Sequence, residues 1–152
     1  MNQIKNLSLI GIFMAFVVIA LGAWTRLVDA GLGCPDWPGC YGFVFWPNDE
    51  AEIALAESRF PMFPYDINKA IPEQVHRLFA ASLGLLAIIL VYLSFNKTKN
   101  KSMQRWSAFL LLLICCQGLF GYLTVSLKLL PIIVTIHLFG GFATLTLSLI
   151  HI

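Results

Sequence analysis

With 152 residues the chain has the length of one domain, yet 59% of it is apolar and only 12% is charged, against the roughly 25% of a soluble domain. A surface of that composition excludes water as its sole solvent and makes lipid the natural one. The formal net charge of +2 is too small for a nucleic-acid footprint, so no nucleic-acid partner is expected.

Four windows reach the roughly 18 apolar residues that a spanning helix needs. The first covers about residues 7–27. Lys5 ahead of it and the small residues Ala20, Gly22 and Ala23 within it resemble a secretory leader. The run is longer than the about 7–15 residues of a leader core, however, and it continues into Trp24 and Leu27 without a polar cleavage region, so it reads as a membrane span.

The loop that follows, from about Val28 to Pro72, carries Asp29, Asp36, Asp49, Glu50, Glu52, Glu57 and Asp66. Within it, Cys34 and Cys40 flank the turn-forming set Pro35, Asp36, Trp37, Pro38 and Gly39. A disulfide here would close a ring of about seven residues and contribute about 2 kcal/mol on the chain-entropy model. A structural staple and a redox pair are both open readings. Trp37 and Trp46 suit an aromatic belt at the membrane surface. Asn48 or Asp49 can cap a short helix running to about Ser58, and Pro61 and Pro64 end it.

The second window, about residues 75–95, is preceded by Glu73 and Gln74 and opens with Val75, His76 and Arg77. After it come Lys97, Lys99, Lys101 and Arg105 with no acid among them, which the positive-inside rule places in the cytoplasm together with the N-terminus. The acidic first loop and the turn at residues 128–131 are then external. The third window, about 106–127, contains Cys115 and Cys116, which read as small apolar side chains. The fourth, about 131–152, contains His137 followed by Gly140 and Gly141. The predicted architecture is therefore all-α: one transmembrane four-helix bundle over residues 1–152 with a long external loop between helices 1 and 2.

His76 and His137 carry the most information, because ionisable groups inside spans are costly and mark function. If Pro72 and Pro131 are the outer ends of their spans, His76 lies about 6 Å and His137 about 9 Å deep at 1.5 Å per residue. Two imidazoles at matched depth suit axial ligation of one haem between helices. Glu73 shares a helix face with His76, Gly140 and Gly141 clear space beside His137 for a macrocycle or another helix, and Arg26 and Arg77 can stay near water and pair with propionates. Spacing alone leaves iron ligation and hydrogen bonding between helices both open.

The run from Gly22 to Gly42, containing Trp24, Thr25, Arg26 and the Cys34 to Cys40 segment, resembles the signature after the first helix of bacterial haem A synthases. The ExxHR pattern at Glu73, His76 and Arg77, and the stretch from Pro131 to Gly141, match the same family in the same order. The resemblance covers nearly the whole chain but about half of a typical member, which has two four-helix bundles related by an internal repeat. It implies that His76 and His137 are the axial ligands of the N-terminal site for haem O or haem A, that Glu73 is the catalytic carboxylate, and that Cys34 with Cys40 is the external cysteine pair. It further implies a haem b in a second bundle, oxidation of the C8 methyl of haem O to a formyl group for cytochrome oxidase assembly, and residence in the bacterial plasma membrane. Partners implied are haem O, membrane lipid, a C-terminal half or second copy, haem O synthase and cytochrome oxidase assembly factors.

The absent second bundle leaves three expected arrangements: a fragment of a longer protein, a half-size protein paired with itself, or one paired with a separate partner. Residues 147–152 read LSLIHI, the translation of a widely used transposase sequencing adaptor. The expectation is that the native fourth helix continues differently after about Thr146 and that His151 is not a ligand. Rival functions are a non-catalytic haem-binding or electron-transfer module and a quinone-linked thiol oxidase. The latter wants a second external cysteine pair, whereas Cys115 and Cys116 lie inside a span.

Overall fold

A computed structural model describes residues 2–150 of the chain, so the expectation concerning His151 lies outside the described residues. Among the described residues five helices follow one another: α1 (Asn2–Leu27), α2 (Glu50–Arg59), α3 (Ile67–Lys97), α4 (Lys101–Ser126) and α5 (Pro131–Ile150). All but α2 are long and apolar enough to cross a membrane. They close a ring in which α1 touches α3, α3 touches α4, α4 touches α5, and α5 returns to α1. Neighbours run antiparallel: Gln3 bonds Lys97 at one end, and Thr25 bonds the Pro72 carbonyl at the other.

The ends of the helices explain why they exceed the apolar windows. Asp66 accepts from Asn68 N, and Asn100 accepts from Ser102 N and Met103 N, so polar caps start α3 and α4 before the apolar residues begin. Pro72 consequently lies inside α3 rather than at its outer end, which corrects the reference used for the depth of His76. Of the two candidates for the α2 cap it is Asp49 that accepts from Glu52 N, while Glu52 returns a carboxylate oxygen to Asn48 N. Pro131 occupies the first position of α5, where its missing N–H costs nothing. At the end of α1 the Ala30 N–H bonds Thr25 O, with Asp29 taking the left-handed conformation that closes a helix.

Large side chains face outward along the spans. Phe13, Phe16, Leu85, Tyr92, Leu112 and Phe139 are exposed, the reverse of a soluble core and the arrangement lipid requires. Polar contacts between spans are few. Ser94 and Ser107 hydroxyls meet at 2.7 Å across α3 and α4, and Gln104 Nε2 donates to Thr98 O at 2.9 Å.

Residues 28–66 fold into a compact cap over one end of the bundle. Its core gathers Cys34, Cys40, Tyr41 and Ala56 against Ala70 of α3, with Phe43, Phe60, Phe63 and Tyr65 packed around them. Cys34 and Cys40 are joined in a disulfide. Tyr41 is buried between Phe60 and Tyr65, edge to face with each, and donates its hydroxyl proton to Pro64 O at 3.1 Å. Gly33 lies so close to α3 that a Cβ there would collide with the Lys69 backbone. Cys115 and Cys116 are unbridged and exposed on α4.

Burial, and secondarily the neighbouring Tyr65 and nearby carboxylates, push the Tyr41 hydroxyl up to about 12. The folded cap therefore holds a proton that the unfolded chain releases near the ordinary value of 10.0. The contribution of Tyr41 is expected to be complete below that pH and to fade as pH rises toward about 12. Tyr41→Phe is expected to cost about 1 kcal/mol at neutral pH and to flatten this alkaline loss, both read from thermal unfolding in detergent.

Candidate haem site

The first turns of α3 present two functional faces. Ala70, Glu73, Gln74 and Arg77 recur at helical spacing and meet the cap, while His76, Leu83, Ala87 and Ser94 continue a stripe that faces the bundle. Glu73, expected on the face of His76, is instead turned into the cap by Cys34 N and Arg77, while His76 faces α1 and His137.

On the cap face, Arg77 organises the disulfide loop. Its Nη1 donates to the carbonyls of Asp36 at 2.7 Å and Gly39 at 2.6 Å, and its Nη2 to Cys34 O at 3.3 Å and to Glu73 Oε1 at 2.6 Å. The other carboxylate oxygen of Glu73 accepts from Cys34 N at 3.0 Å. The Arg77 and Glu73 side chains are only 10% and 8% exposed, so each charge relies on the other in place of water. Arg77 thus directs these donors into the cap instead of toward solvent, where a propionate was expected. Arg26, by contrast, is exposed at the end of α1.

Three residues in this cluster were not singled out from sequence. Gln74 is fully buried and donates to Val44 O at 2.5 Å, leaving its own Oε1 buried without a partner. Asp36 accepts from Tyr41 N and Gly42 N, shaping the turn that closes the disulfide ring. Tyr41 anchors the cap as described. A Gln inside ExxHR was the available signal for the first, and the turn-forming set between the cysteines already contained Asp36, though its partners depend on loop conformation.

On the bundle face, His76 and His137 approach with ring centroids 6.5 Å apart and planes 83° to one another. His76 Nδ1 lies 3.1 Å from Val18 O of α1; donating there leaves Nε2 with its lone pair. His137 Nδ1 is buried with no hydrogen-bond partner among the described residues, an atom whose need the protein leaves unmet. Gly22 makes room for the His76 ring, and Gly121 lies against His137 at ordinary contact distance. A Cβ on Gly22 would stand 2.9 Å from His76 Cε1, and one on Gly121 would stand 3.7 Å from His137 Cε1. Gly140 and Gly141, expected to clear space for a macrocycle or another helix, do the second: Gly140 admits Gln117 of α4, and Gly141 meets Ile19 of α1.

The pair fits axial ligation of a haem iron. Two nitrogens each about 2 Å from a shared metal put the ring centroids about 6 Å apart, which is the separation observed. Among the described residues there is no cluster of three or more His, Cys, Asp or Glu that could cage a bare ion. A porphyrin brings four nitrogens of its own and asks the protein for only the axial positions.

Because the Glu73 to Arg77 pair is buried, removing one partner strands the other. Arg77→Ala is expected to destabilise the fold by about 3–5 kcal/mol, and Glu73→Gln, which keeps an acceptor for Cys34 N, by less. Thermal unfolding of both variants in detergent checks the order.

The chain matches the cytochrome oxidase assembly protein family over residues 5–152. It is 43% identical over 148 residues to the haem A synthase of Shewanella oneidensis, an alignment covering 97% of this chain and 44% of that protein. To the haem A synthase of Oceanobacillus iheyensis it is 30% identical, over 77% of this chain and 33% of the relative. To that of Flavobacterium psychrophilum it is 28% identical, over 76% and 38%. The chain thus spans less than half the length of these relatives. No solved structure matches it. With the family match extending over all but the first residues, and with one relative similar from end to end of this chain, the chain belongs to the haem A synthase family of cytochrome oxidase assembly proteins.

Proposed function

We propose that this chain is the N-terminal, substrate-holding half of a haem A synthase, and that His76 and His137 grip the iron of haem O. The observation that carries the reading is the approach of these two rings, from α3 and α5, to 6.5 Å, with Gly22 against one and Gly121 against the other. The reaction is oxidation of the C8 methyl of the substrate to a formyl group, by successive hydroxylation and loss of water. A second bundle, supplied by a C-terminal half or a second copy, would hold a haem b and with it the electron route that this oxidation needs. Haem O synthase is the donor of substrate and cytochrome oxidase assembly the destination of product.

The chain's own residues supply position and charge. Val18 O holds His76 through Nδ1, which leaves Nε2 as the atom that would hold the iron. Glu73 stands one turn from that ligand, ion-paired to Arg77 and held by Cys34 N. Where the macrocycle edge meets the cap, this carboxylate would be the group that takes a proton or stabilises positive charge. The disulfide supports this arrangement as a staple, since it fixes the loop whose Cys34 N–H and carbonyls hold Glu73 and Arg77. The apolar walls of the spans exclude water from the reacting carbon.

In the bilayer, the cap with Asp29, Asp49, Glu50, Glu52, Glu57 and Asp66 lies outside the cell. Lys5, Lys97, Lys99, Lys101 and Arg105 lie at the opposite end, in the cytoplasm. Propionates then face the cap, where Arg26 remains exposed.

Visible spectra of the purified chain titrated with haem test the ligation. The wild type is expected to give the sharp reduced bands of a bis-imidazole haem, and His76→Ala and His137→Ala to lose them. Unchanged bands in either variant remove that residue from the iron. Glu73→Gln is expected to keep the bands while lowering conversion of haem O by about 100-fold or more when the second bundle is supplied. Full conversion by that variant would assign the proton chemistry elsewhere.

A further inference from the structure

Below the histidines the bundle contains a cavity of about 300 Å³ on the side away from the cap. Its walls repeat the histidine site one heptad further along every helix. On α1, Val18 and Gly22, which meet His76, give way to Gly11 and Ala15. On α3, His76 gives way to Leu83; on α4, Gly121 to Ile114; and on α5, His137 to Thr144. Seven residues at 1.5 Å each place the cavity about 10 Å beneath the rings, on the same inner faces.

The cavity contains hydroxyls, and four of them are already bonded, those of Ser8 and Ser102 aside. Thr144 donates to Gly140 O at 2.8 Å, Ser148 to Thr144 O at 2.7 Å, and Ser107 to Gln104 O at 3.0 Å, while Ser94 meets Ser107. These helix-bonded hydroxyls ask nothing of a guest, and between them stand Leu83, Ala87 and Ile114. The small residues Gly11, Ala15 and Ala87 are what leave the space open, since larger side chains would fill it. A void of this volume, with most of its hydroxyls bonded within the helices and Gly11, Ala15, Leu83, Ala87 and Ile114 on its walls, favours hydrocarbon over water or a polar metabolite.

We infer that this cavity receives the isoprenoid tail of a haem whose iron lies between His76 and His137. The inference rests on the haem reading above and goes beyond it by assigning residues that select the substrate. Propionates and the isoprenoid substituent leave opposite edges of the macrocycle. Propionates at the polar cap therefore direct the tail along the bundle axis, into the space lined by Gly11, Ala15, Leu83 and Ala87.

The test is a titration of the purified chain in detergent with haem b, which has no such tail, and with haem O, followed by visible spectra. The wild type is expected to bind haem O at least about tenfold more tightly, since burying two methylene groups suffices for that ratio. Gly11→Leu is expected to abolish the preference. The Gly11 position accepts a Cβ at ordinary contact distance, 3.5 Å from Leu86 Cδ2, so the new side chain enters the cavity without a backbone clash. Ala87→Leu, from the facing helix, repeats the test, and haem b reports whether each variant still ligates iron. Equal affinity of the wild type for the two haems would overturn the tail assignment while leaving the ligand pair standing, as would a preference that survives both substitutions. Absence of bis-imidazole bands with either haem would instead sink the ligation, and the tail site with it.

Discussion

The arrangement depends on how one guanidinium is satisfied away from water. Arg77 stands within a span, 10% exposed, where an unpaired charge would be costly. Its Nη donors reach three loop carbonyls and one carboxylate, so the charge is neutralised by Glu73 and the remaining protons are taken by the backbone of the disulfide turn. Satisfying Arg77 and folding the cap are thus a single event. Neither can be undone without exposing the other's polar groups to an apolar surrounding.

That coupling gives the cap its place. The disulfide fixes the segment from Cys34 to Cys40, Asp36 fixes the turn after it, and Gly33 lets the whole loop lie against the α3 backbone. Glu73 then bonds both the loop and Arg77, one turn from His76. The loop is therefore anchored on α3 within one turn of the histidine. The aromatic packing of Tyr41, Phe60 and Tyr65 holds the far side of the cap and leaves its α3 side to the polar contacts.

The four spans themselves are held more loosely. Outward-facing phenylalanines and leucines gain nothing from one another in lipid, so close approach of backbones and a few hydroxyl and amide contacts carry the association. Glycines are spent where backbones or rings come together. Gly22 and Gly121 face the imidazoles, and Gly140 and Gly141 face Gln117 and Ile19. Small residues lower in the bundle leave the cavity beneath the histidines.

The sequence by itself determined four spans, because a run of apolar residues long enough to cross a bilayer has no stable alternative in water, and the described helices contain all four. It also identified His76, His137, Glu73 and the Cys34 to Cys40 segment as the unusual residues, since charge, imidazole and paired cysteines stand out in so apolar a chain. Tertiary structure alone decided their directions. Residues 73, 76 and 77 are neighbours in sequence, but the helical turn of about 100° per residue sends the first and last to the cap and His76 to the bundle. Which glycine faces a ring, which carbonyls meet Arg77, and where the bundle stays open all depend on the rotation of each helix about its own axis. Rotation is set by contacts between helices, and no single segment contains that information.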